Sequence, residues 1–227
     1  MGDHYVPQYY LRGFAEDDRL WAYDREECRK FETQPKSIAN ETGMYGEDLE
    51  AILANEVEHP AKPAIEKVRA RQRLDADDRE ALARYIAMLW KRVPRGRERV
   101  AEGMPEVAED LRRRYTAAFA TVAAENPSLA DRAALRTKEL HAALDKCLVD
   151  PSPVWRDVLR KEHTSTNLVE ALLRMNWRFL CSDRLQFLTC DNPVFFFESE
   201  GIGKPESELS ILLRFGDDVG KLAGWRS

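Results

Sequence analysis

The sequence predicts an α+β fold, with a helical middle packed on a small, mainly antiparallel sheet built from N- and C-terminal strands. Three observations predict it. Residues 19–33 alternate apolar and polar with period two. From about residue 47 to 175 the apolar residues recur at spacings of three and four. From Trp177 onward the period returns to short alternating or apolar runs bounded by turn residues.

Taken in order, residues 5–14 read as a short helix, with Pro7 suited to its first position and Gly13 to its end. Arg19 to Asp24 and residues 29–33 read as a hairpin with one half-buried face. Residues 47–70 read as helix, broken or kinked at Pro60 and Pro63. Leu82, Tyr85, Ile86, Leu89, Trp90 and Val93 form the clearest amphipathic stripe. It starts behind Asp75, Asp77 and Asp78, which suit the positive end of the helix dipole. Ala108, Leu111, Tyr115, Ala118, Phe119 and Val122 form a second stripe. Ser128 is placed to cap a third helix that runs to about Leu148, with Asp131 three residues on. Shorter helices are expected over 154–162 and 166–175. Strands are expected at 177–181, 185–189, 194–197 and 210–215. The chain is taken as one domain over 1–227, divided into 1–46, 47–176 and 177–227, with more sheet expected beyond its end.

Composition narrows the function classes. The chain has 227 residues and is 44% apolar, too apolar for a disordered segment. Its longest apolar runs fall well short of the ~20 residues of a membrane span, so no membrane partner is expected. The first residues carry neither a basic region nor an apolar stretch of the signal-peptide kind, which points to a soluble, cytoplasmic protein. Cys28, Cys147, Cys181 and Cys190 form no CxxC pair, against a zinc module or a disulfide scaffold. With 35 Lys and Arg against 40 Asp and Glu, the net charge of −5 argues against a dedicated nucleic-acid binder. The charge is uneven: residues 1–60 hold 6 basic and 14 acidic side chains, and residues 61–115 hold 15 and 10. Residues 91–99 hold five basic side chains, a field that attracts phosphates or a solvated helix junction.

Polar residues on apolar faces select the candidate site. With ~100° per residue and Leu49 at zero, Ile52 falls at about −60°, Leu53 at about +40° and Glu56 at about −20°. Glu56 therefore stands mid-stripe and is expected to be buried, as a member of a structural ion pair or as a functional group with a raised pKa. His4, Gln8 and Arg12 share one face if the first segment is helical throughout, and Arg12 forked onto Glu56 is the pairing that fits. Arg92 lies on the edge of its stripe, able to reach into a cleft or to stay solvated. Asp191 and Asn192 end a strand-like run, where they close a turn with Pro193 or project into a cleft.

The segments His4-Tyr5-Val6-Pro7-Gln8-Tyr9-Tyr10-Leu11-Arg12-Gly13-Phe14, Leu20-Trp21-Ala22-Tyr23-Asp24, Arg92-Val93-Pro94 and Leu188-Thr189-Cys190-Asp191-Asn192-Pro193-Val194 resemble the bacterial domain of unknown function 4238 family. Its pattern opens HxxPxxxLRxF and closes on an S/T-D-N-P segment; Cys190 stands where the family more often has Ser. The resemblance implies a single α+β unit and supplies no activity.

Familiar chemistries find no signature here: HExxH, the P-loop, GxGxxG and GxSxG are all absent. The one Glu-x-x-His, Glu56 to His59, lacks the second copy that a di-iron bundle needs. The expected function is an enzyme, of hydrolase type, on a phosphate-bearing substrate such as a nucleotide or nucleic acid. His4, Glu56 and Asp191 are its candidate catalytic groups, and Gln8, Arg12, Arg92 and Asn192 its candidate substrate contacts. A divalent metal held by Asp191 and Asn192 is one form of that site. The alternatives are a non-catalytic module for an anionic ligand or partner and a buried polar network that fixes the N-terminus. The sequence assigns no oligomeric state.

Overall fold

A computed structural model describes residues 2–162, 166–181, 187–198, 209–215 and 219–223. The chain divides into two compact units, Met1–Pro94 with Leu159–Ser227, and Arg95–Val158.

The first unit begins with strand β1 (Asp3–His4), which pairs antiparallel with β4 (Asn40–Glu41) and sets His4 opposite Asn40. Helix α1 covers only Gln8–Leu11, and a 3-10 turn over Arg12–Phe14 follows. His4 is thus in a strand, and the expected helical row of His4, Gln8 and Arg12 does not form. The cause is Pro7: its missing N–H and its extended ψ of 136° start the helix after it. The hairpin forms as expected from β2 (Leu20–Asp24) and β3 (Arg29–Thr33), antiparallel, with Trp21 opposite Glu32 and Tyr23 opposite Lys30.

Gly46, at a φ of 86° that favours glycine, turns the chain into α2 (Glu47–Ile52). A π-helical segment, Leu53–Glu58, leads from α2 into α3 (His59–Arg69). Pro60 explains the widening. Its ring would collide with the carbonyl of Glu56 in a tight turn, and it has no N–H to bond there. An i→i+5 ladder puts more residues in each turn than an α-helix, so each advances by less than ~100°. Leu49, Leu53, Val57, Ala61 and Ile65, spaced by four, therefore stay on one buried face.

Helix α4 (Ala76–Arg92) starts with a reciprocal cap in which the Asp75 carboxylate accepts from the Asp78 N–H and the Asp78 carboxylate from the Asp75 N–H. Lys67 ties both acids down, at 3.2 Å and 2.5 Å. Leu82, Tyr85, Ile86, Leu89 and Val93 are buried as the stripe requires. The helix ends where Val93, before Pro94, turns extended.

The second unit is helical. Helix α5 (Pro94–Glu125) opens on its proline, and α6 (Ala130–Val149) follows a 3-10 turn over Pro127–Leu129. The residue capping α6 is Leu129, without a side-chain bond, so Ser128 is not the cap: the turn holds it one position too early. Arg112 bonds Asp145, and Thr116 Oγ1 lies 3.1 Å from His141 Nε2, between α5 and α6.

Helices α7 (Ser152–Glu162) and α8 (Thr166–Arg174) precede the C-terminal strands. These are β5 (Phe179–Cys181), β6 (Phe195–Glu198), β7 (Leu209–Phe215) and β8 (Val219–Ala223), in the antiparallel order β5-β8-β7-β6. The fold is α+β, with antiparallel strands from both ends of the chain. Each end pairs within itself: β1 with β4, β2 with β3, and the last four together. The strand expected over 185–189 falls partly outside the described residues, and 187–190 is irregular. Strand β8 was not anticipated.

Candidate functional site

Arg92 is the centre of the strongest polar cluster. It stands at the end of α4 with 1% of its surface exposed. A buried guanidinium needs its charge and its donors met, and each donor nitrogen finds a partner. Its Nη1 donates to Glu58 Oε1 at 2.5 Å, and its Nη2 donates to the carbonyl of His4. Its Nε makes a long 3.5 Å contact with the Tyr45 hydroxyl, which itself donates to the Arg92 carbonyl at 2.6 Å. The Tyr45 ring lies 5.5 Å from the guanidinium carbon, and the Tyr45 N–H donates to Asp3 Oδ2 at 2.8 Å. The cluster thus gathers the N-terminal strand, the loop before α2, the π segment and the end of α4.

Burial works against the charge on Arg92, but Tyr45 and Glu58 outweigh it and its pKa is raised. Burial pushes Tyr45 up to about 12, against the opposing influence of Arg92, so its hydroxyl remains a donor at neutral pH. Tyr85, buried beside the same charges, is also raised, by burial first and by Glu58 second.

Glu50 is the unusual member. Its side chain is 36% exposed, and its Oε2 lies 3.7 Å from Arg92 Nη2. That oxygen is buried and accepts no hydrogen bond among the described residues. Burial raises the pKa of Glu50, and Glu58 and Asp3 add to it; Arg92 and, more weakly, a hydrogen bond from the His4 backbone to the carboxylate oppose the rise.

A second contact joins the ends of the chain. The Tyr10 hydroxyl and Thr189 Oγ1 are 2.9 Å apart. Asp191, two residues on, is close enough to Tyr5 to raise its pKa, after burial and ahead of Glu41. Asn192 Oδ1 is buried without a hydrogen bond among the described residues.

The candidate residues therefore separate. Glu56 is exposed, which corrects the expectation that it lies buried in the apolar stripe: the π segment shifts the phase, and Val57 is buried instead. Arg12 is exposed and bonds Gln8 Oε1 at 3.1 Å and Asp18 at 3.3 Å, so the Arg12–Glu56 fork does not form. His4 is buried with Nε2 3.2 Å from the Lys36 carbonyl, and it meets Arg92 through its own carbonyl rather than its ring. Arg92 is neither a solvated flank nor a snorkelling side chain; it is buried outright. Asp191 is exposed and Asn192 half-buried.

Glu58, Glu50 and Tyr45 were missed. Glu58 was legible only in part, as a second carboxylate two residues from Glu56 that comes into phase once Pro60 is read as widening the turn. No local signal marks Tyr45, whose partner lies 47 residues away. Among the described residues, no three His, Cys, Asp or Glu side chains converge as metal ligands.

No curated protein and no solved structure matches the chain. A family model described as a protein of unknown function, DUF4238, matches residues 3–212, a span that takes in Arg92, both glutamates and the Asp191–Asn192 turn. The chain belongs to the DUF4238 family.

Proposed function

We propose that the chain is an enzyme in which Glu50 transfers a proton to or from a polar substrate, with Arg92 positioning its carboxylate and Glu58 holding Arg92. One observation carries this reading. The Glu50 carboxylate is open to solvent on one side, while its inner oxygen lies buried near Arg92 without a hydrogen bond. Such a group is costly to keep and suits acid–base work because its proton is held more tightly than an ordinary glutamate's. The phosphate-bearing class rested on Arg12 and Arg92, and both are engaged within the protein. The proposal therefore stops at a polar substrate, in the bacterial, cytoplasmic setting expected from the sequence.

A second reading has its own support: the bonds from Arg92 to Glu58 and to the His4 carbonyl pin the N-terminal strand. One experiment separates the two. The thermal midpoints of wild type, Glu50→Gln and Glu58→Gln are compared at neutral pH and in acid. A functional carboxyl is a stability cost, so Glu50→Gln is expected to match or exceed wild type at neutral pH. Glu58→Gln is expected to lose several degrees. If Glu50→Gln falls as far as Glu58→Gln, Glu50 is structural and the enzyme reading fails.

A further inference from the structure

The apolar stripe of α5 is only partly used within its own unit. Arg112 and Thr116 turn toward α6, where they meet Asp145 and His141 and set the two helices antiparallel. At ~100° per residue, Val107, Leu111, Tyr115, Ala118 and Val122 fall within an arc of about 80°, centred about 120° round α5 from those two contacts. Val107 is 50% exposed, Tyr115 45% and Val122 41%, while Leu111 is half-buried. On α6, Leu129, Leu140, Ala143 and Cys147 fall within about 60° of one another by the same count, also turned away from His141 and Asp145. In both helices the arc is reached by turning in the same sense from the contact side, and in an antiparallel pair such arcs lie on one side of the pair. Arg136 reaches that side too, and it is satisfied by Glu139 at 2.6 Å. The α5–α6 pair therefore carries one broad, largely open apolar face.

Two helices share a single seam, and apolar side chains beside it stay in water unless something packs on them. Leu111, Tyr115, Ala118 and Val122 recur by four, three and four, the spacing with which helices pack side by side in bundles. From residue 107 to 125 the face runs ~28 Å along two helices each ~10 Å wide, so a matching face would cover ~1,100 Å² in total, above the ~1,000 Å² that a specific interface needs. We infer that this face packs on the same face of a second copy of the chain, the two α5–α6 tips side by side, as a two-fold four-helix bundle. Charge selects that arrangement. The Arg112–Asp145 and Thr116–His141 contacts fix the heights along the pair, and continuing by the same steps brings Glu125 level with Arg132. They stand on opposite outer edges of the face, and neither has an ion pair among the described residues. A two-fold axis parallel to the helices sets α5 against α6 of the second copy at equal height, so each Glu125 meets the partner's Arg132. The inference is independent of the role proposed for Glu50.

The test is sedimentation velocity of the full chain over a range of micromolar concentrations. Wild type is expected to sediment with the mass of two chains, and Tyr115→Glu/Val122→Glu with the mass of one, its helix content by circular dichroism unchanged. Glu125→Arg is expected to raise the dissociation constant roughly tenfold, because two pairs per dimer are lost and like charges replace them. Glu125→Arg/Arg132→Glu restores the pairs with their signs exchanged and is expected to recover the dimer. This charge series decides the matter if the apolar variant does not fold, and Glu50→Gln should dimerise as wild type does. The proposal is overturned if wild type is monomeric throughout, which leaves the face to some other partner. It is also overturned if the folded apolar variant still dimerises, or if the charge exchange fails to recover what Glu125→Arg loses.

Discussion

Arg92 keeps its charge in the interior because three directions of its planar fork are met at once, by Glu58, by the His4 carbonyl and by Tyr45. A lysine is a point charge and cannot meet all three. Arg92→Lys is therefore expected to lower the thermal midpoint, as is Glu58→Gln, whose own side chain is only 18% exposed. Glu58→Gln removes one partner of a buried pair, which costs about 3–5 kcal/mol, whereas Arg92→Lys keeps the charge and loses less; calorimetry of both variants checks that order. Glu50 behaves oppositely. Its folded pKa lies above the ordinary 4.5, so the folded state binds its proton more tightly than the unfolded state. Wild type accordingly gains stability relative to Glu50→Gln as pH falls through the raised folded value. The difference should be largest near neutrality and should stop changing below about 4.5. Thermal midpoints across that range measure it, and a gap that is constant with pH would contradict the assignment.

At the scale of elements, the π segment decides which residues face inward. Read as a uniform α-helix, residues 49–57 bring Glu56 to the core; with the turn widened before Pro60, Val57 takes that place. The acidic start of α4 was easier to read, because Asp75, Asp77 and Asp78 stand before an unbroken stripe; the structure begins the helix earlier, at Ala76, with Asp75 and Asp78 capping each other. Asp75→Ala is expected to lower the midpoint by roughly 2–4 °C. The Asp75 pKa is lowered, first by the Asp78 N–H and then by Lys67. Its contribution is therefore present above the ordinary 3.8 and lost as pH falls through the depressed folded value. The gap between Asp75→Ala and wild type should narrow below that range, which acid melts would show. The hairpin was legible for the same reason as α4: period and turn chemistry are local. The short α1 was not, since a row at i, i+4 and i+8 assumes a helix through Pro7.

At the scale of the molecule, the two ends of the chain meet through Tyr10 and Thr189. Tyr10→Phe removes that bond and keeps the ring, so it is expected to cost about 1 kcal/mol. Hydrogen exchange should then quicken in residues 187–194 before it does in α4, because the segment loses an anchor while the helix keeps its core. Unchanged exchange there would mean that Pro193 and Val194, both buried, hold the segment unaided.

What the sequence determined by itself is what depends on near neighbours: the hairpin, the buried stripe of α4 with acids at its start, and the α+β order of elements. Each follows from residue spacing and local chemistry, whose effects reach only a few residues. The tertiary structure decided the identity of the site. Arg92 meets Glu58 across 34 residues and the His4 carbonyl across 88. A buried charge must find whichever opposite charge the folded backbone brings within reach, and here one widened turn moved Glu58 into that position and left Glu56 in solvent.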